Sequence, residues 1–89
     1  MVVTVKFIGV FRSMAGKNSL ALRLEKIITL REAIGKIIQQ SPKLKPALID
    51  PKPNMLILVN GKEISVLNGL ETTLKDKDEV VFVPVVHGG

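Results

Sequence analysis

Residue types that do chemistry are scarce in this chain of 89 residues. Cysteine is absent, which excludes a thiol nucleophile, thiolate zinc ligation, a side-chain thioester and a disulfide framework. The single histidine, His87, builds neither a metal cluster nor a nucleophile–histidine–acid triad. Asp76 and Asp78 alternate with Lys75 and Lys77, a pattern that reads as a solvated turn rather than an acid–base pair. Asn60-Gly61-Lys62 lacks the glycine spacing of a phosphate-cradling loop. What remains is the stretch Val85-Val86-His87-Gly88-Gly89 that closes the sequence. Glycine makes up about 7% of average sequences, so two in a row at a given place arise by chance in only about 0.5%. A carboxylate that must enter another enzyme's narrow active site needs little side-chain bulk behind it. Glycine meets that need, because it permits an extended thread and φ values closed to other residues. Gly89 is therefore the candidate reactive group, through its main-chain carboxylate, and a loose end without function is the ordinary alternative. The His87 imidazole reads as solvated.

A reactive end needs a scaffold, and the composition supplies one. Apolar residues make up 46% of the chain, too many for a disordered segment. The length fits one small domain. No apolar run reaches the roughly 20 residues of a membrane helix, and the alternating start is unlike a signal peptide; no membrane partner and a cytoplasmic location are expected. The net charge of +5 comes from 13 basic and 8 acidic residues. Its lysines and arginines are scattered, and the three phenylalanines lie mostly in strand-like runs rather than as stacking platforms. Direct nucleic-acid binding is not expected; an acidic protein partner would use the same charge.

Hydrophobic periodicity places the elements. Residues 2–10 read as a strand, with Val3, Val5 and Phe7 on one face. Residues 12–18 read as a turn, and residues 19–24 as a second strand that closes an antiparallel hairpin. Thr29 and Glu32 have the spacing of a capping box. Leu30, Ala33, Ile34, Ile37 and Ile38 then form one apolar helical stripe that Ser41-Pro42 ends. Gly35 interrupts that helix, and close packing against a sheet would account for it. Residues 42–54 carry four prolines and read as a loop with one short turn at residues 46–49. Residues 55–60 form a third strand closed by Asn60-Gly61, a hairpin signal. A short return is expected over residues 63–67, irregular chain over 68–74, and a last strand over Glu79–Pro84.

A hairpin followed by one crossing helix must bury that helix on a single face of a mixed sheet. The small fold that does this is the α+β β-grasp (ubiquitin-like) fold. A ferredoxin-like fold would need a second long helix that the proline-rich segment does not offer. The expected organisation is a β-grasp domain over residues 1–84 and a flexible tail over residues 85–89. If the helix covers Val3, Val5, Phe7, Val80 and Phe82, the opposite face presents Ile8, Val81 and Val83 beside Thr4, Lys6 and Glu79. Nothing else in the chain is left to cover that face, so it is a candidate docking surface with a basic rim. Scattered exposed apolar residues would be the ordinary alternative.

At this point the sequence resembles the MoaD/ThiS-like β-grasp sulfur carriers. That family includes the molybdopterin synthase small subunit, the thiamine-pathway carrier, the ubiquitin-related modifier of eukaryotes and the small archaeal modifiers. The resemblance spans essentially the whole chain. Its most specific part is Leu74-Lys75-Asp76-Lys77-Asp78-Glu79-Val80-Val81-Phe82-Val83-Pro84 with the tail ending in Gly88-Gly89. This stretch looks like the MoaD pattern of Leu-x-Asp-Gly-Asp-Glu-Val, apolar residues, proline and a Gly-Gly end. Arg12-Ser13-Met14-Ala15-Gly16 is similar to the family's arginine and glycine after the first strand, and Val59-Asn60-Gly61 to its third-strand ending. Lys77 stands where MoaD often has glycine, Val85 where a second proline is common, and His87-Gly88-Gly89 looks more like the eukaryotic modifier.

The resemblance implies a mechanism. A ubiquitin-activating-type adenylating enzyme, ThiF-like, would adenylate Gly89 with ATP, and a sulfur donor would convert the adenylate to a thiocarboxylate. Gly88 would give backbone clearance, and Val85, Val86 and His87 would form the threaded stem. The chain would need no cofactor of its own and no catalytic side chain, since partners supply the chemistry. Ile8, Arg12, Val81 and Val83 are the expected partner contacts, with Arg12 as a polar anchor. The leading expectation is a MoaD-like small subunit that delivers sulfur to molybdopterin while its tail sits in the large synthase subunit. The alternative is a modifier that joins target-protein lysines or supplies a tRNA thiolation enzyme. A third reading is a β-grasp interaction domain with an inert tail.

Overall fold

Alternating burial builds the first two strands. In β1 (Val2–Phe7) the residues Val3, Val5 and Phe7 point inward and Val2, Thr4 and Lys6 outward. In β2 (Ser19–Arg23) Leu20 and Leu22 point inward. The two pair antiparallel, with Val3 opposite Leu22 and Val5 opposite Leu20. The structure, a computed structural model, describes residues 1–49 and 55–85.

The connection between these strands departs from expectation. It is a helix, α1 (Val10–Ala15), where the sequence suggested strand to residue 10 and then a turn. The strand stops early because Gly9 takes φ +59° and ψ −129°, a conformation other residues rarely adopt, and turns the chain out of the sheet. Phe11, Met14 and Ala15, spaced i, i+3 and i+4, then face the core. Gly16 caps the helix by donating its N–H to the Arg12 carbonyl at 2.9 Å.

A two-residue strand, β3 (Ile28–Thr29), leads into α2 (Leu30–Gln40). The capping box is present: the Thr29 hydroxyl accepts from the Glu32 N–H at 3.2 Å, and the Glu32 carboxylate accepts from the Thr29 N–H at 3.4 Å. Leu30, Ala33, Ile34 and Ile37 are buried. Gly35 is exposed, and a Cβ built there would meet nothing within 4 Å, so close packing against the sheet is not its reason. Beyond the helix, Pro42–Leu44 forms a 3-10 turn and α3 (Lys45–Leu48) follows, with Leu44 and Leu48 buried. The proline-rich segment is therefore partly helical, with Pro42 and Pro46 in first turns where a missing N–H costs nothing.

β4 (Met55–Val59) turns through Asn60 at φ +51° and Gly61 at φ +83° into β5 (Lys62–Glu63). Two consecutive left-handed residues give the primed turn whose twist matches a hairpin. β5 is shorter than the expected return because the Glu63 carboxylate accepts from the Ser65 N–H at 2.7 Å and draws the chain into a 3-10 turn, Ile64–Val66. Residues 68–74 are not wholly irregular: a 3-10 turn, Gly69–Glu71, precedes β6 (Thr73–Leu74), which pairs with β3.

The last strand, β7 (Glu79–Pro84), has the expected bounds. It runs parallel to β1 and antiparallel to β4, giving the order β2-β1-β7-β4-β5. Central Val3, Val5, Val80 and Phe82 are fully buried against the α2 side, and the Phe7 and Phe82 rings stack with centroids 6.0 Å apart. This is the β-grasp arrangement. Its described elements end at Pro84; of the tail proposed for residues 85–89, only Val85 is among the described residues.

Candidate functional site

The open face of the sheet is read directly from the strand register. Side chains of paired residues project to the same side, so Lys6, Val81, Leu58 and Glu63 form one row across four strands. Val83 and Leu56 form the next row, and Thr4 and Glu79 the one on the other side. Ile8 continues the alternation of β1, and its N–H donates to the Phe82 carbonyl at 3.1 Å. Ile8 is 46% and Leu56 38% exposed, while Leu58, Val81 and Val83 are half-buried by their neighbours. Lys6 and Glu79 pair at 3.0 Å beside this apolar band. Both partners are well exposed, so the pair orients charge at the rim and contributes little stability.

Of the expected docking residues, Ile8, Val81 and Val83 thus share one surface. Leu56 and Leu58 belong to it and were not anticipated. Their signal was available: Met55-Leu56-Ile57-Leu58-Val59 is apolar at every position, the mark of a strand with two apolar faces. Arg12 is exposed, but it lies on α1 rather than in a turn. Among the described residues, no hydrogen bond or ion pair engages its guanidinium.

The chain leaves this sheet at the end of β7. Pro84 stands opposite Met55, and Val85 follows beside a cleft of about 340 Å³ between α1, Pro46-Ala47 and Met55. Val86, His87, Gly88 and Gly89 lie outside the described residues.

The acidic turn before β7 is only in part the solvated turn its composition suggested: Lys75, Asp76 and Lys77 are exposed and Asp78 is not. Asp78 is only 5% exposed. Its carboxylate accepts from the Lys75 N–H at 2.8 Å, the Asn60 side-chain amide at 2.9 Å and the Lys75 ammonium at 3.1 Å. Burial pushes the Asp78 carboxyl up, but the Lys75 N–H, the Asn60 amide and the Lys75 charge outweigh it and hold the group below its ordinary value. Asn60 also accepts from the Glu79 N–H at 2.9 Å, which ties the hairpin turn to the start of β7. Asp76 accepts from the Val2 N–H at 2.8 Å and pins the start of β1. Lys77 sits at φ +71°, which explains why the resembling pattern has glycine there. These acids hold strands; they do not face a cleft as a reacting pair. Among the described residues, no three metal-ligating side chains converge.

Comparison with known proteins fits this geometry. Residues 5–89 match the ThiS family. The chain belongs to that family. Small archaeal modifier protein 3 of Haloferax volcanii is 30% identical over 92 residues, spanning all of both chains. Ubiquitin-related modifier 1 of Schizosaccharomyces pombe is 31% identical over 98 residues, again spanning both chains. The structure of a candidate molybdopterin converting factor, subunit 1, from Pyrococcus furiosus superposes with a TM-score of 0.79 at 27% identity, over 97% of this chain and 99% of that one. This ThiS-family chain is a ubiquitin-like sulfur carrier or modifier on a β-grasp scaffold. Among its described residues, no helix is long and apolar enough to cross a membrane.

Proposed function

We propose that this ThiS-family protein works through the Gly89 carboxylate, activated by a ubiquitin-activating-type adenylating enzyme that docks on the open sheet face. A carboxylate oxygen attacks the α-phosphorus of ATP and pyrophosphate leaves, giving an acyl-adenylate. A donor at the hydrosulfide level then attacks the carbonyl carbon, and AMP departs with the electron pair of its carbon–oxygen bond. The product is a thiocarboxylate. ATP belongs to the partner, and this chain contributes no resident cofactor. The observation that carries the reading is the coincidence of a Gly-Gly end with an uncovered apolar band, Ile8, Leu56, Leu58, Val81 and Val83, on the sheet whose last strand leads to it.

The downstream acceptor divides the reading in two. Full-length likeness to an archaeal modifier and to a ubiquitin-related modifier favours transfer to target-protein lysines or to a tRNA thiolation enzyme. Likeness to the candidate molybdopterin converting factor subunit favours sulfur delivery to molybdopterin within a large synthase subunit. Deleting Gly88 and Gly89 tests the common step. ATP–pyrophosphate exchange by the activating enzyme should disappear while the melting temperature stays within about 2 °C, because the last described strand and its core contacts end at Pro84. Undiminished exchange would reject the Gly89 reading. Lysine-linked conjugates in cell extract support the modifier branch; co-purification with a large synthase subunit supports the molybdopterin branch.

A further inference from the structure

Resting on the reading that Gly89 is adenylated, we propose that Gly9 and Pro84 form a clamp that fixes the direction in which the tail leaves the fold. The two residues meet although 75 positions separate them. A Cβ added to Gly9 would lie 2.9 Å from the Pro84 Cγ and 3.6 Å from its Cδ, so the proline ring rests where any other side chain would begin. Gly9 is held there by its surroundings. The preceding residue donates to the Phe82 carbonyl at 3.1 Å, and Gly9's own carbonyl accepts from the Arg12 N–H at 3.0 Å as α1 starts. On the other side Pro84 stands opposite Met55 of β4. Its ring fixes its own φ, which removes one of the two backbone rotations at the last residue of β7.

The geometric consequence scales with the length beyond the clamp. From Val85 to Gly89 there are four further residues, which span at most about 14 Å when extended. A tilt of about 10° at the root then moves the tip by about 2 Å, and a misplacement of about 1 Å at a reacting centre can cost about 100-fold in rate. The apolar wall of Val10, Phe11, Met14 and Met55 beside Val85 supports the same exit. The clamp adjoins the docking band in the chain, Gly9 after Ile8 and Pro84 after Val83, but the Pro84 ring lies with Phe11, Met14 and Met55 rather than on the open face. It therefore acts on presentation of the carboxylate rather than on affinity, and Gly9 and Pro84 are positioning residues.

The test measures adenylation of the full chain by the activating enzyme, as ATP–pyrophosphate exchange at varied carrier concentration. Wild type, Pro84→Ala and Gly9→Ala are compared, each with its melting curve. Pro84→Ala removes the ring without adding backbone strain; Gly9→Ala adds the clash together with a strained φ. The clamp predicts a fall in kcat of about tenfold or more, with KM within twofold, in Pro84→Ala and in the folded fraction of Gly9→Ala. An unchanged kcat, a fall explained by the unfolded fraction, or a change confined to KM would each overturn the clamp while leaving Gly89 activation standing. A wild-type chain that is not adenylated would overturn both.

Discussion

Replacing Asp78 with alanine separates a structural acid from a reactive one. The side chain is almost fully buried and accepts three hydrogen bonds, at 2.8, 2.9 and 3.1 Å. The Lys75 ammonium is mostly exposed, so solvent screens its share. The other two bonds count for more, since alanine leaves the Lys75 N–H and the Asn60 amide without their acceptor. Hydrogen bonds to a charged acceptor contribute about 1.5–3 kcal/mol each, and partial rehydration of exposed Asn60 brings the expected loss to about 3 kcal/mol. For a domain of this size that is a fall in Tm of roughly 12–24 °C. Urea denaturation of Asp78→Ala should show a lower midpoint at unchanged slope, with Asp78→Asn between it and wild type. The pH dependence has a definite sign. The folded carboxyl titrates below its ordinary 3.8, so its stabilisation is present above that pH and is lost as the pH falls through the folded value. The gap between wild type and Asp78→Ala should be constant from about pH 7 to pH 5 and should narrow below about pH 4. A loss under about 1 kcal/mol, or a gap that widens in acid, would refute the account of this turn.

Other substitutions follow from the same contacts. Gly35→Ala should stabilise the protein by about 1 kcal/mol, since the site is helical, exposed and empty around a Cβ; destabilisation in a thermal melt would show a constraint at Gly35 that the helix geometry does not. Leu56→Lys should raise KM for the activating enzyme about tenfold or more while shifting Tm by little, because Leu56 is exposed at the β4 end of the docking band; an unchanged KM would move docking off this face.

Much of the scaffold is legible in the sequence because its signals are local. Alternation in Val3-Thr4-Val5-Lys6-Phe7 and Val80–Phe82 sets the inward face, Thr29 and Glu32 start the helix, and Asn60-Gly61 turns the hairpin. The open face follows from the same alternation, which is why Ile8, Val81 and Val83 could be named. Leu56 and Leu58 escaped because a strand apolar on both sides carries no period to read. Helix α1 escaped because six residues hold a single i, i+3, i+4 repeat, and the event that creates it is the backbone turn at Gly9. Strands β3 and β6 are two residues each, too short for any period, and exist only because distant segments meet. The role of Asp78 depends on Asn60, 18 positions away, so local composition suggested only a polar turn.

Activation at Gly89 changes one functional group, and intact mass spectrometry reads that change directly. The protein is incubated with the activating enzyme, ATP and a sulfur donor, then weighed whole beside a sample lacking ATP. The expected result is an ATP-dependent gain equal to the exchange of one oxygen for sulfur, mapped by fragmentation to Gly89. An unchanged mass with an enzyme that activates a known carrier in the same reaction, or a gain mapped to a side chain, would contradict it.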